Sequence, residues 1–132
     1  MDFPTIPTYA FRRLAAALAL SMALVPPGLA RETQGDALGT IAARQLPNDA
    51  QQTLRRIESG GPFPYDKDGS RFGNYERILP RQPRGYYREY TVKDFYRRDR
   101  GAKRIVCGGE PPAANDCYYT EDHYNSFKRI AK

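Results

Sequence analysis

Apolar and polar positions change their period along this chain, and the changes divide it. Residues 14–25 are an apolar run broken only by Ser21, from Leu14 to Val25, preceded by Arg12-Arg13 and followed by Pro26-Pro27 and Gly28-Leu29-Ala30. A basic segment, an apolar segment too short to cross a bilayer, and a small-residue exit come in the order of a secretory signal peptide, with cleavage after Ala30. Residues 31–44 mix charge, Gly and Ala without a period and are expected to form an irregular N-terminal arm. From Gln45 the pattern turns regular: Ala50, Leu54 and Ile57 follow i, i+4, i+7 spacing, Asn48 precedes them as a cap, Asp49 stands in the first turn, and Gly60-Gly61 stop the run. This predicts an amphipathic helix over residues 48–58.

After the helix the chain reads as loops and short strands. Residues 62–73 are rich in Pro, Gly and Asp, whereas residues 86–93, 103–107, 117–120 and about 126–130 have the β-branched and aromatic content of strands. An α+β domain over residues 45–132 is expected, with one N-terminal helix packed on a small antiparallel β-sheet. Alternation in residues 86–93 sets Tyr86, Tyr90 and Val92 on an apolar face and Tyr87, Glu89 and Thr91 on the other. In residues 103–107, Ile105 joins the apolar face and Arg104 faces with Glu89. Arg88 fits the apolar face poorly.

Composition narrows the setting. Without residues 1–30 the 132-residue chain keeps 102, enough for one domain with a modest core, and losing Arg12, Arg13 and Asp2 leaves 19 basic and 14 acidic residues, a net charge of +5. Such a surplus favours a polyanionic partner. The two cysteines, Cys107 and Cys117, bracket Gly108-Gly109, Pro111-Pro112 and Asn115-Asp116. Turn formers between two strands predict a hairpin bridged by a disulfide, available to an exported protein and worth about 2–3 kcal/mol for so short a loop. Two cysteines and one histidine are a thin ligand set, so no metal and no cofactor are expected.

The candidate chemistry centres on His123, the only histidine, in Asp122-His123-Tyr124. With Glu89, Arg100 and Arg104 it makes a set able to act on a phosphodiester: a base, an acid, and cations that neutralise charge building on the phosphoryl oxygens. Taken singly, the arginines are ordinary solvated charges and Glu89 an exposed strand residue.

Several collinear segments from about residue 46 to 130 change that weighting. Gly61-Pro62-Phe63-Pro64-Tyr65, Phe72-Gly73-Asn74-Tyr75-Glu76, Ile78-Leu79-Pro80, Gly85-Tyr86-Tyr87-Arg88-Glu89-Tyr90-Thr91-Val92, Arg100-Gly101-Ala102-Lys103-Arg104-Ile105 and Tyr118-Tyr119-Thr120-Glu121-Asp122-His123-Tyr124 resemble the microbial guanyl-specific ribonucleases, of the small secreted barnase and Streptomyces ribonuclease type. The resemblance implies a metal-independent endoribonuclease acting on single-stranded RNA 3′ of guanosine, with Glu89 as general base, His123 as general acid, and Arg100 and Arg104 on the phosphate. It implies base recognition by Phe72–Glu76. Glu76 would accept the paired guanine donors, Asn74 would hold the loop, Phe72 would support the base, Tyr75 would cover it, and Gly73 completes the segment. Tyr124 would stack near the base.

The chain departs from the family pattern twice. Tyr75 stands where bacterial members commonly carry Arg, and the Cys107/Cys117 pair does not reproduce the terminus-to-terminus bridge of the Streptomyces enzymes. A monomer is expected. A barstar-like inhibitor protein is a partner the resemblance leaves open, with deployment as an antibacterial toxin. The rival reading is a non-catalytic basic module that binds RNA or another polyanion; it would not require an acid and a base in register.

Overall fold

The computed structural model describes residues 38–132. The expected signal peptide and most of the expected arm lie outside the described residues.

One helix, α1 (Asn48–Ser59), packs on a six-stranded sheet formed by β1 (Gly39–Ala42), β2 (Ser70–Arg71), β3 (Tyr87–Thr91), β4 (Arg104–Gly108), β5 (Cys117–Thr120) and β6 (Lys128–Ala131). Their spatial order is β1-β6-β5-β4-β3-β2. The expected helix is present, but its cap is Pro47 and Asn48 is already inside the first turn. Proline supplies the fixed φ that a chain entering a helix needs and has no N–H to leave unpaired. At the other end Gly60 takes a left-handed φ of 80°, and its N–H and that of Gly61 close on the carbonyls of the last turn.

Three features differ from the sequence reading. The ordered fold begins before Gln45, because Gly39–Ala42 pair in parallel with β6, Gly39 opposite Lys128 and Ala42 opposite Ala131. The sheet is therefore mixed, not purely antiparallel. Pairing with an edge strand uses backbone groups whatever the side chains are, so a Gly- and Ala-containing segment enters the sheet without a strand-like pattern. Ser70–Arg71, inside the expected loop, add a short edge strand to β3.

The third difference concerns the two faces of the sheet. On the helix side Leu46, Ala50, Leu54, Ile57, Tyr90, Val92, Ile105, Tyr119 and Ile130 form the larger core. Tyr87, Val106, Tyr118, Phe127 and Leu79 form a second core on the opposite face, so that side is apolar too. Tyr86 packs against this second core with Tyr87, a correction to its expected place beside Tyr90. The segment between β2 and β3 folds back over this face and inserts its Leu79, fully buried, into the second core. Arg88 stays on the helix-side face but reaches past it, its Nη1 donating to the Gly69 carbonyl at 2.9 Å beside β2. Its long aliphatic stem spans the short β2 at the edge of the sheet, so the charged end leaves the core.

The β4–β5 hairpin carries the expected disulfide, with Cys107 directly opposite Cys117 in the ladder and both side chains buried.

Candidate active site

Glu89 sits mid-strand in β3, opposite Val106 of β4, on the face shared with the second core. Its side chain is only 14% exposed, and its two oxygens have different partners. The Tyr124 hydroxyl donates to Oε2 at 2.9 Å, and Arg100 Nη2 lies 3.6 Å from Oε1. The carboxylate is thus aimed by one neutral donor and one cation. Burial, and then the bond to Glu89, push the Tyr124 hydroxyl up to about 12, so it remains a donor at neutral pH.

Arg100 is anchored in turn. Its Nε and Nη2 both donate to Oγ1 of Thr91, at 3.1 and 2.8 Å, and Tyr65 lies beneath the guanidinium at 5.8 Å. Arg104 is 3% exposed, and its Nη1 is held by the carbonyls of Arg100, Gly101 and Lys103. Two arginines on a short connection, each tied to the framework, keep positive charge close to Glu89 without leaving long side chains to order later.

His123 and Tyr124 occupy a tight turn after β5, both with left-handed backbone, φ 52° and 71°. Asp122 builds that turn. Its carboxylate accepts from the Ser126 hydroxyl, the Ser126 N–H and the Thr120 hydroxyl, and these bonds, Ser126 foremost, hold it below the usual carboxylate range. The His123 N–H donates to the Ala102 carbonyl at 3.0 Å, which docks the turn onto the segment between the two arginines. The imidazole and the Tyr124 ring lie 4.8 Å apart.

Beside this cluster a cleft of 290 Å³ is lined by Phe72, Asn74, Tyr75, Glu76, His123 and Tyr124, among others. Phe72 and Tyr124 pack against each other at its base, 4.9 Å apart. The loop above them is shaped by Asn74, which has a φ of 49° and uses both ends of its amide on Leu79: Nδ2 donates to the Leu79 carbonyl at 2.9 Å, and Oδ1 accepts the Leu79 N–H at 3.1 Å. Leu79 is fully buried, so Asn74→Ala leaves two backbone groups unpaired. We expect a loss of about 1–3 kcal/mol of stability in urea unfolding; Asn74→Asp keeps the acceptor for the Leu79 N–H but sets an acceptor against the Leu79 carbonyl, so it should not restore wild-type stability.

Of the residues singled out in the sequence, Glu89, Arg100 and Tyr124 are in direct contact, Arg104 and His123 join them through the 100–104 segment, and Phe72, Asn74, Tyr75 and Glu76 line the adjoining cleft. Gly73 does not line it. A Cβ there would collide with the Tyr75 ring, which lies across the Gly73 backbone, so the glycine is needed for the close approach of that ring. Thr91 and Asp122 were missed. Thr91 had a readable signal, since it lies two residues beyond Glu89 and so on the same strand face. Asp122 stands beside His123, but its role depends on Ser126 and Thr120 closing the same turn.

Comparison with known proteins bears on what this arrangement is for. A family model described as ribonuclease matches residues 30–131, and the guanyl-specific ribonuclease Sa of Kitasatospora aureofaciens is 47% identical over 95 residues, 72% of this chain and 96% of that protein. The chain belongs to the microbial guanyl-specific ribonuclease family. Another member, guanyl-specific ribonuclease St of Saccharopolyspora erythraea, is 48% identical over 96 residues, 71% of this chain and 91% of that one. Ribonuclease Sa2, solved with guanosine-2′-cyclophosphate, superposes with a TM-score of 0.64 at 40% identity, covering 71% of this chain and 96% of that one. The α+β ribonuclease fold is thus shared, one helix on a mixed sheet.

Proposed function

We propose that this ribonuclease-family chain is a guanyl-preferring endoribonuclease that cleaves single-stranded RNA on the 3′ side of guanosine, first by transesterification and then by hydrolysis. One observation carries the reading: a carboxylate aimed by Tyr124 and Arg100 adjoins a cleft that carries a second carboxylate, Glu76, and the only histidine, His123. The names of the relatives support the same base and the same class of product.

In the first step Glu89 takes the proton of the ribose 2′-hydroxyl, whose oxygen attacks the adjacent phosphorus. The P–O5′ bond breaks, and His123 gives its proton to the departing oxygen. Arg100 and Arg104 face the phosphoryl oxygens as negative charge concentrates there. A 2′,3′-cyclic phosphate remains. In the second step His123 draws a proton from water, the water oxygen adds to phosphorus, and Glu89 returns a proton to the 2′-oxygen, leaving a 3′-phosphate. The forward step therefore needs Glu89 as acceptor and His123 as donor of the transferred proton. Deoxyribonucleotides lack the nucleophile, so DNA is bound and not cut.

Incubating the chain with RNA in a chelator and identifying the ends tests this directly. Guanosine 2′,3′-cyclic phosphate followed by guanosine 3′-phosphate is expected. Intact RNA would overturn the reading and favour the non-catalytic binding module, whereas products independent of the base would overturn the guanyl preference and 5′-phosphate ends the cyclic-phosphate route.

The enzyme is proposed to act outside the cell or in the periplasm, as a monomer, after removal of residues 1–30. The disulfide supports this, since such bonds persist in oxidising compartments. Intact-mass analysis of exported material should give the chain from Arg31 onward with no free thiol. Toxin deployment under control of a barstar-like inhibitor is a variant of the same activity, and the net charge of +5 left after removal of residues 1–30 would suit an acidic inhibitor.

A further inference from the structure

A second cleft lies on the other side of the base-recognition loop. Its volume is 600 Å³, and Arg71, Arg77, Arg81 and Arg84 line it with no Asp or Glu among them. Among the described residues none of these four arginines is in an ion pair. Four like charges around one concavity repel each other, a cost that a polyanion offsets by lying between them. Arginine also suits phosphate better than lysine does, because its fork matches two oxygens at once.

The scaffold beneath these charges is stiff. Arg81 and Arg84 flank Gln82-Pro83 and follow Pro80 in a loop closed by a bond from the Tyr86 N–H to the Pro83 carbonyl. The Arg71 guanidinium packs over this loop, its Nε 3.7 Å from where a Gly85 Cβ would lie. Phe72, Asn74 and Tyr75 line both this cleft and the base cleft, so the two are continuous around one loop.

We propose that the arginine cleft binds the phosphodiester backbone of RNA on the 5′ side of the recognised guanosine. This rests on the ribonuclease reading above, and the polarity follows from β3. Tyr87 lines the arginine cleft, Glu89 holds the reacting group two residues further on, and Thr91 anchors Arg100 two residues beyond that. With the guanosine 3′-phosphate at Glu89 and Arg100, nucleotides that precede the guanosine leave toward Tyr87 and the four arginines. The cleft therefore favours cleavage within a strand over cleavage of a dinucleotide.

Steady-state kinetics on GpC, on UUUUGpC and on GpCUUU test the assignment, with wild type and an Arg81→Gln/Arg84→Gln double variant. For wild type in 50 mM salt the 5′ extension should lower KM about tenfold, and two neutralised phosphates should make that gain fall about sevenfold in 200 mM salt. The double variant should lose the gain while cleaving GpC at the wild-type rate, and the Arg81→Lys/Arg84→Lys pair should keep most of it. Binding of UUUUGC carrying 2′-deoxyguanosine, measured by fluorescence anisotropy, reads the cleft without catalysis. No gain from the 5′ extension, an equal gain in the double variant, or a gain from the 3′ extension alone overturns the proposal while leaving the ribonuclease reading intact. Failure of wild type to cut GpC overturns that reading instead.

Discussion

His123→Gln should lower kcat on GpC by about 10²–10⁴-fold, the range for removing a positioned general acid, while KM changes little. The imidazole reaches its place through backbone geometry: the left-handed φ of 52°, the N–H bond to Ala102, and the turn that Asp122 ties to Ser126 and Thr120. None of these uses the ring. The variant should therefore fold as the wild type does, and the lost activity reports chemistry. Glu89→Gln keeps an acceptor for Tyr124 and removes the base, so kcat on GpC should fall while the fold is retained. Wild-type kcat in His123→Gln would sink the assignment.

Glu76→Ala should cut kcat/KM for GpC by about 10²-fold, since two hydrogen bonds to a charged acceptor are worth about 1.5–3 kcal/mol each and part is recovered by water. ApC should change less than about threefold. Adenine offers no pair of donors on its Watson–Crick edge, and its unprotonated N1 faces the carboxylate as a second acceptor, so the wild-type preference is large and the variant narrows it. Glu76 is exposed and makes no hydrogen bond to another described residue, so thermal stability should stay within about 0.5 kcal/mol. Equal wild-type rates on GpC and ApC, or an unchanged ratio in Glu76→Ala, would make residues 72–76 an ordinary loop. Tyr75, 93% exposed and lining the same cleft, rests its ring only against the Gly73 backbone, and covering a base would require that ring to lift away.

The elements that local pattern reveals are those whose side chains meet one environment along their length. Helix α1 shows its stripe of Ala50, Leu54 and Ile57 because one face is buried and the other is wet. The β4–β5 hairpin shows its turn residues between two cysteines because strands joined by a short connection must pair with each other. Local pattern fails where two surfaces are buried or where backbone alone makes the bond. The second core under residues 72–85 hides the alternation of β3, and β1 and β2 are recruited through edge hydrogen bonds that place few demands on sequence.

The same division runs through the site. By itself the sequence determined which groups are present and in what order: Glu76, Glu89, Arg100, Arg104 and His123, a net positive charge, and two cysteines able to bridge a hairpin. Those are properties of residue identity and spacing. Only the tertiary structure decided that Tyr124, 35 residues from Glu89, donates to its carboxylate, that Thr91 anchors Arg100, and that four arginines outside the motifs converge on one cleft. These contacts join residues on different loops and strands. Their geometry is set by sheet order and by how the loops fold across the sheet, so it does not exist until the long-range pairing has formed.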